Sequence, residues 1–148
     1  MKVAIGSDHG GFELKEYLKK YMDKKGVDYK DFGTFSDESC DYPDFGQKVG
    51  AAVRFYGFER GVLICTTGIG MSITVNKYKK IRAALCHNLD SVKYSRLHND
   101  SNVLVLGSKY VKKKLAGKML NVFLETEFEA GRHEKRINKI GFLETLLL

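Results

Sequence analysis

Gly61-Val-Leu-Ile-Cys65-Thr-Thr-Gly68-Ile-Gly70 is the stretch on which the fold turns. Positions 62–65 are apolar without a break, whereas a strand with one wet face alternates. A strand covered on both faces reads this way, and such strands belong to parallel sheets sandwiched between helices. Gly68 and Gly70 then end the strand in a tight turn rich in free backbone N–H groups. Similar apolar runs lie at 3–6, 27–32, 81–86 and 103–106. Helical faces separate them: Leu14, Leu18, Tyr21 and Met22; Phe45, Val49, Ala52, Val53 and Tyr56; Leu115, Met119, Leu120 and Phe123. Asp41 stands where it can cap the second helix, with Pro43 in its first turn, and Asn88 or Asp90 opens a helix that ends near His98. The repeated β-α order predicts the α/β class. The expected architecture is a single-domain three-layer α/β/α doubly wound fold, Rossmann- or flavodoxin-like, with a five-stranded parallel sheet in the order 2-1-3-4-5. One domain is expected to cover 1–148, with a C-terminal helical tail at about 134–148. The apolar end LETLLL is expected to pack as a short helix on its own domain or on a partner subunit.

Composition narrows the function classes. The chain has 148 residues, 43% hydrophobic and 29% charged, which suits a folded domain rather than a disordered one. Its net charge of +7 is uneven: residues 1–74 carry ten Lys/Arg against eleven Asp/Glu, and residues 75–148 carry fifteen against seven. A basic half suits nucleic acid, a membrane surface or a phosphorylated small substrate. The run Lys112-Lys113-Lys114 is not interleaved with aromatics, so it reads as a solvated helix face rather than a single-strand platform. No apolar run reaches bilayer length, and the opening MKVAIGSDHG does not read as a signal peptide. The expectation is a cytoplasmic protein with neither a nucleic-acid nor a membrane partner. Cys40, Cys65 and Cys86 cannot all pair within one chain, and neither they nor His9, His87, His98 and His133 show metal-ligand spacing. Three free thiols are expected, with Cys86 a small core residue and no metal or cofactor.

A doubly wound sheet binds ligands beyond the carboxyl ends of its strands, at the switch point between strands 1 and 3. Strand 1 leads into Ser7-Asp8-His9-Gly10-Gly11, and strand 3 ends at Cys65 before a helix expected to start near Met71. A thiol at a helix amino terminus is favoured as thiolate; a buried structural cysteine is the alternative. The Gly68 and Gly70 turn suits a phosphate or a developing oxyanion, or simply joins strand to helix. His98-Asn99 reads either as a helix cap or as an acid/base near its own pKa. Arg132 and Arg136, four apart, could grip one phosphate or line a solvated face.

Taken in order and spacing, several segments resemble the ribose-5-phosphate isomerase B family of sugar-phosphate isomerases (RpiB/LacAB) over residues 1 to about 140. They are GSDHGGFELK, DFGT at 31–34, DYPDF at 41–45, the 65–70 turn continuing as MSI, NKY, IRAALC, SRLHND and AGRHEKRI. The resemblance implies an aldose-ketose isomerase interconverting D-ribose 5-phosphate and D-ribulose 5-phosphate through a cis-enediolate. Cys65 resembles the base that moves the proton, and His98 the group that opens the furanose ring. Thr66, Thr67, Gly68, Ile69 and Gly70 resemble the turn that stabilises the enediolate oxygen, with Thr67 near the reacting end. Asp8, His9, Asn99 and Lys109 resemble substrate contacts, Tyr42 a pocket wall, and Arg132 with Arg136 the phosphate clamp. The resemblance also implies no cofactor and a homodimer with pockets shared between subunits, a tetramer being the other assembly left open. Two positions depart from the family: Thr66 stands where Gly is usual, and Lys109 where Arg is frequent. A β-branched residue is strained at positive φ, so Thr66 is expected at negative φ; Lys109 keeps the charge but loses the planar fork. A six-carbon substrate (allose or galactose 6-phosphate) remains open, as does a flavodoxin-like nucleotide-binding module.

Overall fold

Residues 1–146 are described by the computed structural model. Its strands are β1 (Lys2–Ser7), β2 (Asp28–Asp31), β3 (Arg60–Cys65), β4 (Ala83–Leu85) and β5 (Val103–Gly107). Its helices are α1 (Phe12–Lys25), α2 (Tyr42–Phe55), α3 (Ile69–Val75), α4 (Leu89–Leu97), α5 (Lys113–Glu125) and α6 (Arg132–Leu143), with a 3-10 turn at His9–Gly11. All pairings are parallel, so the three-layer α/β class holds. The order is β2-β1-β3-β5-β4, which corrects the expected 2-1-3-4-5 by exchanging the last two strands. Burial explains the exchange. β5 is buried at all five positions and suits the interior, whereas the three residues of β4 are each half-buried and suit an edge. β1 and β3 remain neighbours, so the switch point is where the sequence put it.

Side-chain alternation along the strands divides the core into two layers. Ile5, Ile64 and Leu104 face Leu14, Leu18, Met119 and Phe123 of α1 and α5. Ala4, Leu63, Cys65 and Val105 face Val49, Met71 and Val75 of α2 and α3. The helix ends follow local chemistry. Gly26 closes α1 at φ 68, and the Asn88 side chain caps α4 by accepting from Ser91 N–H at 2.8 Å. Asp41 is the cap residue of α2, with Pro43 in the first turn, although its side chain makes no capping bond. α3 starts at Ile69 rather than near Met71, because Gly68 at φ 78 turns the strand directly into the helix. α6 begins two residues before the expected tail and ends at Leu143. The end of LETLLL, at 147–148, lies outside the described residues. No helix among the described residues is long and apolar enough to cross a membrane.

One buried ion pair shapes the strand end that carries Asp8. Lys15 is fully buried, with its ammonium 2.5 Å from Asp31 Oδ2, and Lys19 approaches the same oxygen at 2.8 Å. Asp31 Oδ1 accepts from Gly33 N–H at 2.9 Å. Gly33 and Thr34 in turn bond both backbone groups of Ser7 at 2.7 Å. Burial acts to raise the Asp31 pKa, but Lys15, Lys19 and the Gly33 N–H outweigh it and hold the carboxyl below its ordinary range. The folded-state pKa is lowered, so this stabilisation is present at neutral pH and is lost as pH falls through the carboxylate range. Lys15→Met leaves Asp31 with Lys19 and the Gly33 N–H and is expected to cost about 3 kcal/mol. A denaturant midpoint unchanged at pH 7 would refute that.

Candidate active site

Ten of the expected site residues gather at the carboxyl edge of the sheet. Asp8 leaves β1 as the cap of the 3-10 turn, with Oδ1 accepting from Gly11 N–H at 3.0 Å and its own N–H bonded to Ile64 O at 3.2 Å. The loops after β1 and β3 touch: a Cβ on Gly10 would come within 2.1 Å of Thr66 Oγ1. Tyr42, at the start of α2, lies against Gly70, where a Cβ would come within 2.4 Å of its ring. Glycine is required at both positions for this closeness. Cys65 is 4% exposed, and its Sγ accepts from Gly68 N–H at 3.1 Å. Thr67 Oγ1 accepts from Ile69 N–H at 3.3 Å. Lys109 borders the same turn through its N–H to Thr66 O at 3.0 Å. His9 is exposed, its Nδ1 accepting from Cys40 N–H at 3.2 Å.

Thr66 carries no backbone strain, since the non-glycine residues at positive φ are Lys80, Asp100 and Ala130 among those described. Its side chain forms wall against Gly10 instead. Beside the turn lies a cleft of about 320 Å³ lined by Thr67, Ile69, His87 and Tyr110. His87 and Tyr110 were missed from sequence, yet they follow β4 and β5 at the same carboxyl edge, where the doubly wound rule directs attention. Cys86, by contrast, is a core thiol at 2% exposure; burial raises its pKa, partly offset by Ser91 and Ser95.

His98, Asn99, Arg132 and Arg136 lie elsewhere. α4 returns the chain to the start of β5, so His98, its C-cap, sits at the amino edge. Cys65 pairs with Gly107 at the far end of that strand, and five residues of strand span about 16 Å. Within one chain the two groups therefore do not meet. At the amino edge the His98 ring stacks on His133, with centroids 4.0 Å apart and planes at 13°. Glu129 Oε2 lies 3.6 Å from His98 Nε2 and 3.8 Å from His133 Nε2. Burial, then the charges of His98 and Arg132, lower the His133 pKa. Arg132 and Arg136 are exposed on α6. Buried Arg96 braces the turn by donating to Asp100 Oδ1 at 2.8 Å, Ser101 O at 2.6 Å and Thr126 O at 3.0 Å. Arg82 grips Asp100 from the other side at 3.0 Å.

His98, Glu129 and His133 bring three potential ligand atoms within 4.8 Å, a cluster the sequence reading missed because the two histidines are remote in the chain. The two rings stack nearly face to face, and Arg132 and Arg136 stand close by. This donor set suits proton sharing better than a cation.

A profile of the Ribose/Galactose Isomerase family matches residues 3–140. Ribose-5-phosphate isomerase B of Escherichia coli (strain K12) is 41% identical over 143 residues, covering 97% of this chain and 96% of its own. The structure of Clostridium thermocellum ribose-5-phosphate isomerase B matches at TM-score 0.98 and 47% identity, covering 100% of both chains. That of Mycoplasma genitalium ribose-5-phosphate isomerase B with bound ribulose-5-phosphate matches at TM-score 0.92 and 36% identity, covering 97% of this chain and 96% of the other. With matches along nearly its whole length, the chain belongs to the Ribose/Galactose Isomerase family and is a sugar-phosphate isomerase of the aldose-ketose type.

Proposed function

We propose that this chain interconverts D-ribose 5-phosphate and D-ribulose 5-phosphate in a pocket shared by two copies of itself. The observation that carries the chemistry is Cys65 Sγ at the head of the Thr66–Gly70 turn, oriented by the Gly68 N–H at 3.1 Å. The Mycoplasma genitalium relative, which holds ribulose-5-phosphate, supports the five-carbon substrate. His98 donates a proton to the furanose ring oxygen as the C1–O bond breaks, and the C1 hydroxyl loses its proton to water as the aldehyde forms. The Cys65 thiolate then takes the C2 proton. The C–H electron pair becomes the C1–C2 double bond, and the carbonyl pair moves to O1. N–H groups of the turn stabilise that oxyanion. The thiol returns its proton to C1, and the O2 proton passes to O1, which completes the ketose. Asp8, His9 and Tyr42 line the sugar, with Asn99 from the other half of the pocket.

Two copies are needed because base and ring opener occupy opposite edges of one sheet. A two-fold axis that sets one copy's amino edge on its partner's carboxyl edge completes two pockets at once. Large apolar side chains are exposed beside both halves: Ile69 at 53% and Ile73 at 59% on α3, Phe142 at 62% and Leu143 at 57% on α6. Turnover of ribose 5-phosphate, compared with allose 6-phosphate in the presence of EDTA, tests the proposal; a preference for the six-carbon sugar would sink it. Arg136→Ala removes one charge-assisted contact to phosphate. It is expected to raise KM about ten- to hundredfold with a smaller change in kcat. An unchanged KM would take Arg136 out of the clamp.

A further inference from the structure

The amino-edge cluster contains more than the ring-opening histidine. Two imidazoles stacked at 4.0 Å cannot both carry a proton without like-charge repulsion. Both turn their Nε2 edges to the same oxygen, Glu129 Oε2, at 3.6 and 3.8 Å. Their surroundings differ. His133 is 4% exposed and its Nε2 has no hydrogen-bond partner, whereas the His98 side chain is 33% exposed and open to a ligand. Burial disfavours the charged form, so the proton belongs on His98. The other groups around the pair are Tyr94 of α4, with its ring 4.8 Å from that of His98, and the cations Arg132 and Arg136 of α6. Both arginines oppose a charge on His133. Among the described residues Glu129 is the carboxylate within ion-pair reach of either ring. It is held there by its backbone N–H, which donates to Leu97 O at the end of α4 at 3.1 Å.

We propose that Glu129 is a positioning residue that keeps a single proton on the His98–His133 pair, and keeps it on His98, against the neighbouring arginines. The inference rests on the reading of His98 as the ring-opening acid. His133 serves as the neutral stacking partner. After each ring opening His98 regains its proton from water, so no further co-reactant is needed.

Two measurements on Glu129→Gln test this, with Glu129→Asp as the conservative variant. In an NMR titration of the imidazoles, the His98 midpoint is expected to move toward acid when the anion is removed. Glu129→Asp should recover part of it. In parallel, the alkaline limb of kcat/KM for ribose 5-phosphate should move toward acid by a similar amount. The profile for D-erythrose 4-phosphate, which cannot close a furanose ring, should stay in place. An unmoved His98 midpoint in a folded Glu129→Gln protein overturns the role of Glu129. Failure of the underlying reading looks different: His98→Asn would then slow D-erythrose 4-phosphate as much as ribose 5-phosphate, whatever the titration gives.

Discussion

Cys65→Ala is expected to lower ribose 5-phosphate turnover by about 10³-fold while leaving the protein folded, a loss within the span of a general base. The neighbouring carboxylate and imidazole each already hold a local bond. Asp8 Oδ1 already accepts from Gly11 N–H at 3.0 Å, and His9 Nδ1 already accepts from Cys40 N–H at 3.2 Å. The sulfur ends a strand packed against α2 and α3, so its removal deletes one small core group rather than a structural hinge. Cys65→Ser should be nearly as inactive, since a hydroxyl keeps the acceptor for Gly68 N–H but is a far weaker base. Steady-state assay with a thermal melt decides the matter. Retention of more than about a tenth of wild-type turnover by a folded Cys65→Ala protein would remove the thiol from the mechanism.

Mixing two inactive proteins should restore activity. Cys65→Ala subunits keep an intact amino edge, and His98→Asn subunits keep an intact carboxyl edge. A heterodimer of the two has one pocket with both lesions and one with neither. At equal mixing half the dimers are heterodimers, so about a quarter of all pockets should be whole, and activity should rise to about that share of wild type. The alternative, a pocket built within one chain, gives no rise at any mixing ratio. Mass spectrometry of the mixture establishes that exchange has occurred, which makes a flat result decisive against the shared pocket.

The carboxyl-edge half of the candidate site was legible residue by residue. A continuous apolar run must lie inside a covered sheet, and the residues that follow such strands must fall on its carboxyl edge. That logic alone brings Asp8, Cys65 and the Thr66–Gly70 turn together, and it reaches His87 and Tyr110 when applied to every strand. The i, i+4 spacing of Glu129 and His133 was equally available but pointed to nothing by itself. The order of the outer strands was not legible. Both β4 and β5 follow helices of similar kind, and only the competition for the interior gives the place to Val103–Gly107.

Sequence alone thus determined what depends on neighbours along the chain: the strands, the helix faces, the turn that holds Cys65, and the edge to which each loop is delivered. Tertiary structure alone decided what depends on distant segments meeting. It stacked His98 on His133, set Glu129 across both, and buried Arg96 beneath the turn that carries His98. It also separated Cys65 and His98 to opposite ends of the sheet. Periodicity records which side of an element is buried, but not which distant element buries it, and the chemistry of the amino edge rests on that second choice.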